Sequence, residues 1–242
     1  MKPPPEPAAF DHVAADYEAA LGRGLQLAGE TREFFARGRV AWLARCLRPP
    51  SATIQKVLDF GCGDGAATSL LRHLGAGVTI LGVDASTASL ELAQRHHATE
   101  RIRFLPVADF KPDATFDLVF CNGVLHHVPR ADRPAALAPV HAALRPGGRF
   151  ALWENNPGNP GTRLIMRRVP FDREAILLWP AAARRLLRTT GFEVLRTDFQ
   201  FVFPRWLRWF RRLEPALSRL PLGGQYLVLA QKPPSPTPPD GR

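Results

Sequence analysis

Short apolar runs alternate with helical patterns through the middle of the chain. The apolar runs predict buried strands over residues 54–60, 78–83, 102–107, 116–121 and 148–154. Between the strands, apolar residues return at helical spacing and predict helices over residues 65–75, 86–97 and 132–145. Continuously apolar strands separated by helices are typical of a parallel sheet covered on both faces. The pattern therefore predicts a doubly wound α/β fold.

Further elements flank this alternating region. Upstream, Asp11 can cap a first helix, and a second helix is expected to begin at Thr31 and to stop before Pro49. Downstream, a polar stretch runs from Asn155 to about Pro180. The elements predicted after it are a helix at 181–190, a strand near 192–201, an amphipathic segment at 204–220 and a last strand at 225–230.

Length and proline distribution favour one domain with two short tails. A chain of 242 residues can bury roughly three quarters of its unfolded surface in one core. Many of the 24 prolines lie in the first seven or the last ten residues, so we expect flexible segments at 1–9 and 232–242. The domain expected between them, residues 10–231, comprises N-terminal helices (10–50), the alternating core (54–154) and substrate-side and amphipathic segments (155–224) that depart from simple alternation.

Composition restricts where the protein works and what it binds. No stretch approaches the roughly 20 apolar residues of a membrane-spanning helix, and the N-terminus lacks the pattern of a secretory signal. Cys46, Cys62 and Cys121 have no C-x-x-C spacing, which argues against disulfides and zinc, so we expect a cytoplasmic protein without a metal. The net charge of +10 suits nucleic acid, an anionic lipid surface or an acidic substrate, and composition does not choose among them.

A glycine-rich turn follows the first predicted strand. Gly61, Gly63 and Gly65 occupy every second position, so the backbone can approach a ligand closely. Asp84 ends the next strand about twenty residues later, where a Rossmann-type site binds ribose hydroxyls. NAD would satisfy both features. Asp59, however, is unfavourable beside a pyrophosphate and suits an ammonium group, which favours S-adenosylmethionine.

These segments resemble class I S-adenosylmethionine-dependent methyltransferases. Asp59–Gly65 resembles the first motif of that family, Gly82–Ser86 its ribose-binding segment, Phe116–Asn122 its fourth strand, and Leu144–Gly148 the turn before its fifth strand. The likeness covers roughly residues 54–154. It implies a Rossmann-like, seven-stranded sheet that is mostly parallel, with the last strand antiparallel.

The resemblance also implies cofactor contacts, residue by residue. The methionine half would lie along Asp59, Phe60, Gly61, Cys62 and Gly63, the ribose at Asp84 and Ala85, the adenine at Asp109 and Phe110, and the sulfonium near Asn122 and Gly123. The alternative for the glycine turn is a tight turn that binds no ligand. The alternative for Asp109 is an ordinary solvated acid in a loop.

Polar residues after the fourth and fifth strands are candidates for the chemistry. Methyl transfer from a sulfonium requires alignment and, where the acceptor carries a proton, a base. His126 and His127 are the candidate bases, because an unperturbed histidine titrates near neutral pH. Glu154, Asn155 and Asn156 end the fifth strand, where open α/β sheets bind ligands, and are candidate substrate contacts. The alternative for the two histidines is that they only shape the pocket. The alternative for residues 154–156 is a solvated loop.

The segment 204–217 combines aromatic residues with arginines. On a helix, one stripe would hold Trp206, Phe210, Leu213 and Leu217, and Arg205, Arg208 and Arg212 would lie apart from it. Such a basic amphipathic face suits the interface of an anionic membrane and predicts peripheral contact with it. A helix packed on the sheet is the alternative.

These features together predict methyl transfer from S-adenosylmethionine to a small-molecule acceptor. The resemblance is to the branch that modifies quinones and natural products, with oxygen slightly favoured as the acceptor atom and a lipid-like acceptor left open. An RNA methyltransferase is one alternative, but the Asn-Pro pairs after the fifth strand follow the wrong strand for base N-methylation, so nucleic acid is not the expected partner. A catalytically silent cofactor-binding subunit is the other.

Overall fold

One seven-stranded sheet organises the structure, a computed structural model that describes residues 29–47, 53–168 and 175–234. The strands are β1 (Lys56–Phe60), β2 (Thr79–Asp84), β3 (Ile102–Pro106), β4 (Phe116–Asn122), β5 (Leu144–Asn155), β6 (Glu193–Gln200) and β7 (Gln225–Gln231). Their order is β3-β2-β1-β4-β5-β7-β6. The pairs among β1 to β5 are parallel, and β7 runs antiparallel to both β5 and β6. The predicted fold class is confirmed.

Helices cover both faces of the sheet. They are α1 (Arg32–Cys46), α2 (Ala66–Leu71), α3 (Thr87–His97), α4 (Arg133–Ala143), α5 (Pro160–Arg168), α6 (Pro180–Thr189) and the single turn α7 (Glu214–Leu217). In the part of the chain that the structure describes, 3-10 helices occupy Arg72–Leu74, Val107–Asp109 and Arg205–Leu213. Within the described ranges, none of the helices has the length and apolar character needed to span a bilayer.

Two predicted segments differ from the structure. The helix α5 forms inside the stretch predicted to be irregular, and the segment predicted as one amphipathic helix at 204–220 is a 3-10 helix followed by α7. Leu207 departs from helical geometry, with φ −108° and ψ 23°, and Pro215 has no N–H to continue a helical hydrogen-bond ladder. The predicted continuous stripe is therefore wrong. The helix predicted from Asp11 and both predicted tails lie outside the described residues, apart from 232–234.

The core forms two hydrophobic clusters, one on each face of the sheet. Successive strand residues point to opposite faces, so Val57 belongs to the cluster under α1 and α2, and Leu58 to the cluster under α4 and α6. Leu71 and Leu137 are fully buried, one in each cluster. Burial on both faces explains why the strands have continuously apolar sequences.

A buried carboxylate fastens α1 to the sheet. Asp198 on β6 is 0% exposed and accepts a hydrogen bond from Trp42 Nε1 at 3.1 Å. Arg196 donates to both oxygens of Asp198, at 2.7 and 3.1 Å. The ionised carboxylate is thus fully hydrogen-bonded, which offsets the cost of burying it. The C-terminal half of α1 is held in place by this contact.

Replacement of Asp198 tests this anchor. We expect Asp198→Ala to lower the free energy of unfolding by about 3 kcal/mol, because Arg196 and Trp42 would lose a buried partner. Urea denaturation measures the change. Asp113→Ala, which removes an exposed carboxylate bonded to Thr115, is the control and should change stability by less than about 0.5 kcal/mol. Equal urea-denaturation midpoints for Asp198→Ala and the wild type would contradict the proposal that Asp198 anchors α1.

Candidate functional site

A cavity of about 1250 Å³ opens at the carboxyl ends of the central strands. The strand order reverses between β1 and β4, so the connections leave in opposite directions and a crevice forms there. Residues of the β1, β2, β4 and β5 ends line one side of the cavity. The cavity is also lined by residues of α1, α5 and the segment 201–211.

The glycine turn after β1 forms part of the floor. Gly61, Gly63 and Gly65 have φ values of 78°, 54° and 81°, in the region that favours glycine. A Cβ atom on Gly61 would lie 2.2 Å from Cγ2 of Val124, so a side chain at position 61 has no room. Gly61 and Gly63 line the cavity, so the backbone of this part of the turn can approach a ligand closely.

Asp84 links the glycine turn to the start of α3. Its Oδ2 accepts from the Gly63 N–H at 2.8 Å, and its Oδ1 accepts from the Ser86 N–H at 2.9 Å. Burial raises the pKa of this carboxyl, and the backbone N–H donors oppose that shift. The carboxylate is held rigidly at the cavity wall, where it can still accept hydrogen bonds from a ligand.

Asp59 is more deeply buried than Asp84. It is 2% exposed, and Thr68 Oγ1 donates a hydrogen bond of 2.6 Å to its Oδ2. Burial raises the pKa of Asp59 to about 7, although the Thr68 hydrogen bond lowers it. A cation entering the cavity beside Asp59 would favour the ionised form.

A buried histidine and glutamate face each other at the ends of β4 and β5. His126 Nδ1 lies 2.6 Å from Glu154 Oε2, and the Leu125 N–H donates to Glu154 Oε1 at 2.9 Å. An ionised carboxylate can only accept, so Nδ1 carries the proton and, in the neutral ring, Nε2 carries the lone pair. His126 lines the cavity, and this tautomer is the one that can accept a proton there.

His127 is a weak base. Its ring lies 4.1 Å from that of His126, centroid to centroid. Burial, together with the nearby His126, lowers the pKa of His127 to about 3. The ring is neutral at physiological pH and has little affinity for a proton.

Three phenylalanines form an aromatic wall of the cavity. Phe34 and Phe35 on α1 meet Phe201, with ring centroids 6.0 and 4.9 Å away. Phe201 has φ 63°, a strained conformation for a bulky residue. Its ring fits against α1 only because position 38 is glycine, since a Cβ there would lie 2.6 Å from Phe201 Cε1. Sequence reasoning missed this wall, because its residues meet only in the folded chain.

Ion pairs join the wall to the glycine turn. Arg32 donates to both oxygens of Asp64, at 2.6 and 2.9 Å. Arg211 donates to Glu30 at 2.8 Å and places its guanidinium 4.5 Å from the ring centroid of Phe34. The first turn of α1 thereby contacts both the glycine turn and the segment 201–211.

The structure brings most predicted site residues to this cavity. Those lining it are Asp59, Phe60, Gly61, Cys62, Gly63, Asp84, Ala85, Asn122, Gly123, His126, His127, Glu154 and Asn155. Three do not line it. Asp109 is exposed, Phe110 packs on Phe116 at 6.2 Å, and Asn156 donates to the carbonyls of Pro221 and Gly223. Among the described residues, no cluster of three His, Cys, Asp or Glu side chains could hold a metal.

The chain is similar to known methyltransferases. A family model described as a methyltransferase domain matches residues 58–150. The trans-aconitate 2-methyltransferase of Variovorax paradoxus is 29% identical over 213 residues, covering 78% of this chain and 79% of that protein. The ubiquinone biosynthesis O-methyltransferase of Alkalilimnicola ehrlichii is 31% identical over 61% of each chain.

A solved structure shares the fold. The magnesium protoporphyrin IX methyltransferase of Synechocystis with bound S-adenosylhomocysteine (SAH) has a TM-score of 0.62 and 17% identity, over 92% of this chain and 96% of that chain. For several curated relatives the chain spans only about half of their length, as in two matches covering 51% and 56%.

Proposed function

The chain belongs to the class I S-adenosylmethionine-dependent methyltransferases, and on that premise we propose that it transfers a methyl group to a small-molecule acceptor. The observation that supports this most directly is the cavity itself. Its lining combines the glycine turn, the buried Asp59, the half-buried Asp84 and an aromatic wall, and it includes the His126–Glu154 pair.

The residues at the sheet edge fit the proposed cofactor. Asp84 is placed to accept from the ribose hydroxyls, and the buried Asp59 suits the ammonium of the methionine moiety. The glycine turn leaves its backbone accessible, and Asn122 and Gly123 would border the sulfonium. For the adenine, Val107 lines the cavity where Asp109 and Phe110 do not, so we assign the apolar contact to Val107.

Cofactor binding should be coupled to the protonation of Asp59. We expect SAH to bind with micromolar affinity, about −8 kcal/mol, and NAD to bind far more weakly. Because the pKa of Asp59 is about 7 in the free protein, an ammonium beside it should expel a proton. Affinity should then fall about tenfold per pH unit below pH 7.

Calorimetry in two buffers of different ionisation enthalpy measures the released proton. Asp59→Asn is the control, which should bind without proton release. Proton release that persists in Asp59→Asn would contradict the assignment of Asp59, and tighter binding of NAD than of SAH would contradict the cofactor.

His126 is the proposed general base. S-adenosylmethionine supplies a methyl group that already sits on a positively charged sulfur, so the protein has to align the acceptor and remove its proton. His126 Nε2 takes that proton, and Glu154 holds the tautomer and stabilises the imidazolium that forms. Both Glu154 oxygens are engaged within the protein, which favours this role over direct contact with the acceptor.

Replacement of the two histidines separates their roles. We expect His126→Gln to lower turnover by about 100-fold and His127→Gln by less than about threefold. The acceptor is found first, by incubating the wild type with labelled cofactor and the lipid, small-molecule and RNA fractions of a lysate. SAH affinity is the control and should change little in either variant. Equal turnover of His126→Gln and the wild type would exclude the base, and label in the RNA fraction alone would favour the RNA alternative.

The cavity lining favours an acceptor with apolar character. Phe34, Phe35 and Phe201 present aromatic surface, and a base in the same cavity suits a hydroxyl or acid oxygen. Leu164 and Trp206 line the cavity yet are 45% and 69% exposed, so its rim is apolar as well. This rim supports a lipid-like acceptor. SAH binding without label in any fraction would favour the silent subunit.

The exposed rim continues into a surface that suits an anionic membrane. Trp206, Trp209, Phe210 and Leu213 are 69%, 65%, 46% and 51% exposed. Arg205, Arg208 and Arg212 are exposed beside them. Exposed aromatic and basic side chains together favour peripheral binding to anionic lipid over packing on the sheet.

Vesicle sedimentation tests this contact. We expect the wild type to sediment with phosphatidylglycerol vesicles at low salt and to bind neutral vesicles poorly. The double variant Trp206→Ser, Phe210→Ser should lose most binding and keep its melting temperature, because both side chains are exposed. Leu195→Ser, which changes an exposed leucine on β6, is the matched control. Failure of the wild-type protein to bind anionic vesicles would exclude the membrane contact.

A further inference from the structure

Arg133 is buried although it lies outside the cavity lining. It is the first residue of α4 and is 4% exposed. Its Nε donates to the carbonyls of Leu125 and Val128 at 2.9 and 3.0 Å, and its terminal nitrogen donates to the Ile176 carbonyl at 2.5 Å. One guanidinium thus binds three backbone carbonyls from two segments of the chain.

Two of these carbonyls bracket the turn that carries both histidines. Leu125 and Val128 lie on either side of His126 and His127, and the Ile176 N–H donates to the His126 carbonyl at 2.8 Å. On the other side of the turn, Glu154 accepts from the Leu125 N–H and from His126 Nδ1. The turn is therefore held between a carboxylate on β5 and a guanidinium on α4.

We propose that Arg133 is a positioning residue for methyl transfer, whose guanidinium holds the turn Leu125–Val128 so that His126 keeps its Nδ1–H bonded to Glu154 and offers Nε2 to the acceptor. This inference rests on the proposed function, which gives His126 its role as base. The planar shape of the guanidinium matters, because it can donate hydrogen bonds to several carbonyls in fixed directions. An ammonium group cannot reproduce that geometry.

The charge of Arg133 contributes separately from its hydrogen bonds. Among the described residues, groups that interact with the His126–Glu154 pair include His127, Arg133, Cys121 and Tyr226. Burial raises the pKa of Cys121 and of Tyr226 well above their usual ranges and lowers that of His127, so these three groups are neutral at physiological pH. Arg133 supplies positive charge near Glu154, which opposes protonation of the pair.

Two substitutions separate the directed hydrogen bonds of the guanidinium from its positive charge. Arg133→Met removes both, and Arg133→Lys keeps the charge. The measurement is NMR of protein with 15N-labelled histidine, with and without SAH, using His126→Gln to assign the His126 signals. We expect the wild type to show a single Nδ1–H tautomer at His126. Arg133→Met should show mixed tautomers and an upward shift of the titration midpoint by about 0.5 pH units or more. Arg133→Lys should show mixed tautomers with little shift in the midpoint.

Arg145→Met is the matched control. It also removes a partly buried arginine, one that donates to Asp117 at 2.6 Å away from the large cavity, so the His126 signals should stay as in the wild type. SAH affinity should stay within about threefold of the wild type in all three arginine variants, because none of them touches the cofactor residues.

The outcomes separate this inference from the proposed function. A wild-type tautomer and midpoint in Arg133→Met would overturn the positioning role. If Arg133→Met does not fold, Arg133→Lys tests the positioning role. A wild-type tautomer of His126 in Arg133→Lys would show that the guanidinium geometry is not required. A wild type that fails to bind SAH would overturn the proposed function instead, while the tautomer of His126 in the SAH-free protein still reports on the role of Arg133.

Discussion

Parallel pairing of β1 with β2 and with β4 is the constraint on which the site depends. Parallel strands end at the same edge of a sheet, and the reversal of strand order at β1 leaves that edge uncovered between diverging connections. Asp59, Asp84, Asn122 and Glu154 all lie at or next to the ends of their strands. Residues spread over nearly a hundred positions of sequence therefore meet at one cavity.

The three acids at this edge differ in the donors that satisfy them. Asp84 accepts from two backbone N–H groups, which hold it in a fixed orientation. Asp59 accepts from a single threonine hydroxyl, so burial dominates and its pKa rises to about 7. Glu154 accepts from a histidine and a backbone N–H. Similar side chains in one cavity thus suit three tasks: holding hydroxyls, receiving a cation and orienting a base.

The part of the site that local sequence determines was predictable, and the part that depends on tertiary approach was not. The glycine turn and Asp84 follow from short-range pattern, because a positive φ and a strand end are local properties. Phe201 and Arg133 carry no such signal, since their roles arise from contacts with α1 and with the turn Leu125–Val128. Asn156 lies outside the cavity lining for a related reason. Its amide satisfies carbonyls more than sixty residues away, which no strand-end rule anticipates.

The two ends of α1 are held with unequal strength. Near its C-terminal end, Trp42 donates to the fully buried Asp198, where loss of a partner is costly. At its N-terminal end, the Arg32–Asp64 and Arg211–Glu30 pairs keep between 14% and 36% of their side-chain surface exposed, and solvent screens such pairs to about 1 kcal/mol or less. The N-terminal end is the one that lines the cavity, where Phe34 and Phe35 also pack against Phe201. The C-terminal end of α1 is thus fixed by a buried carboxylate, whereas the end that borders a ligand is held by aromatic contacts and by ion pairs that solvent screens.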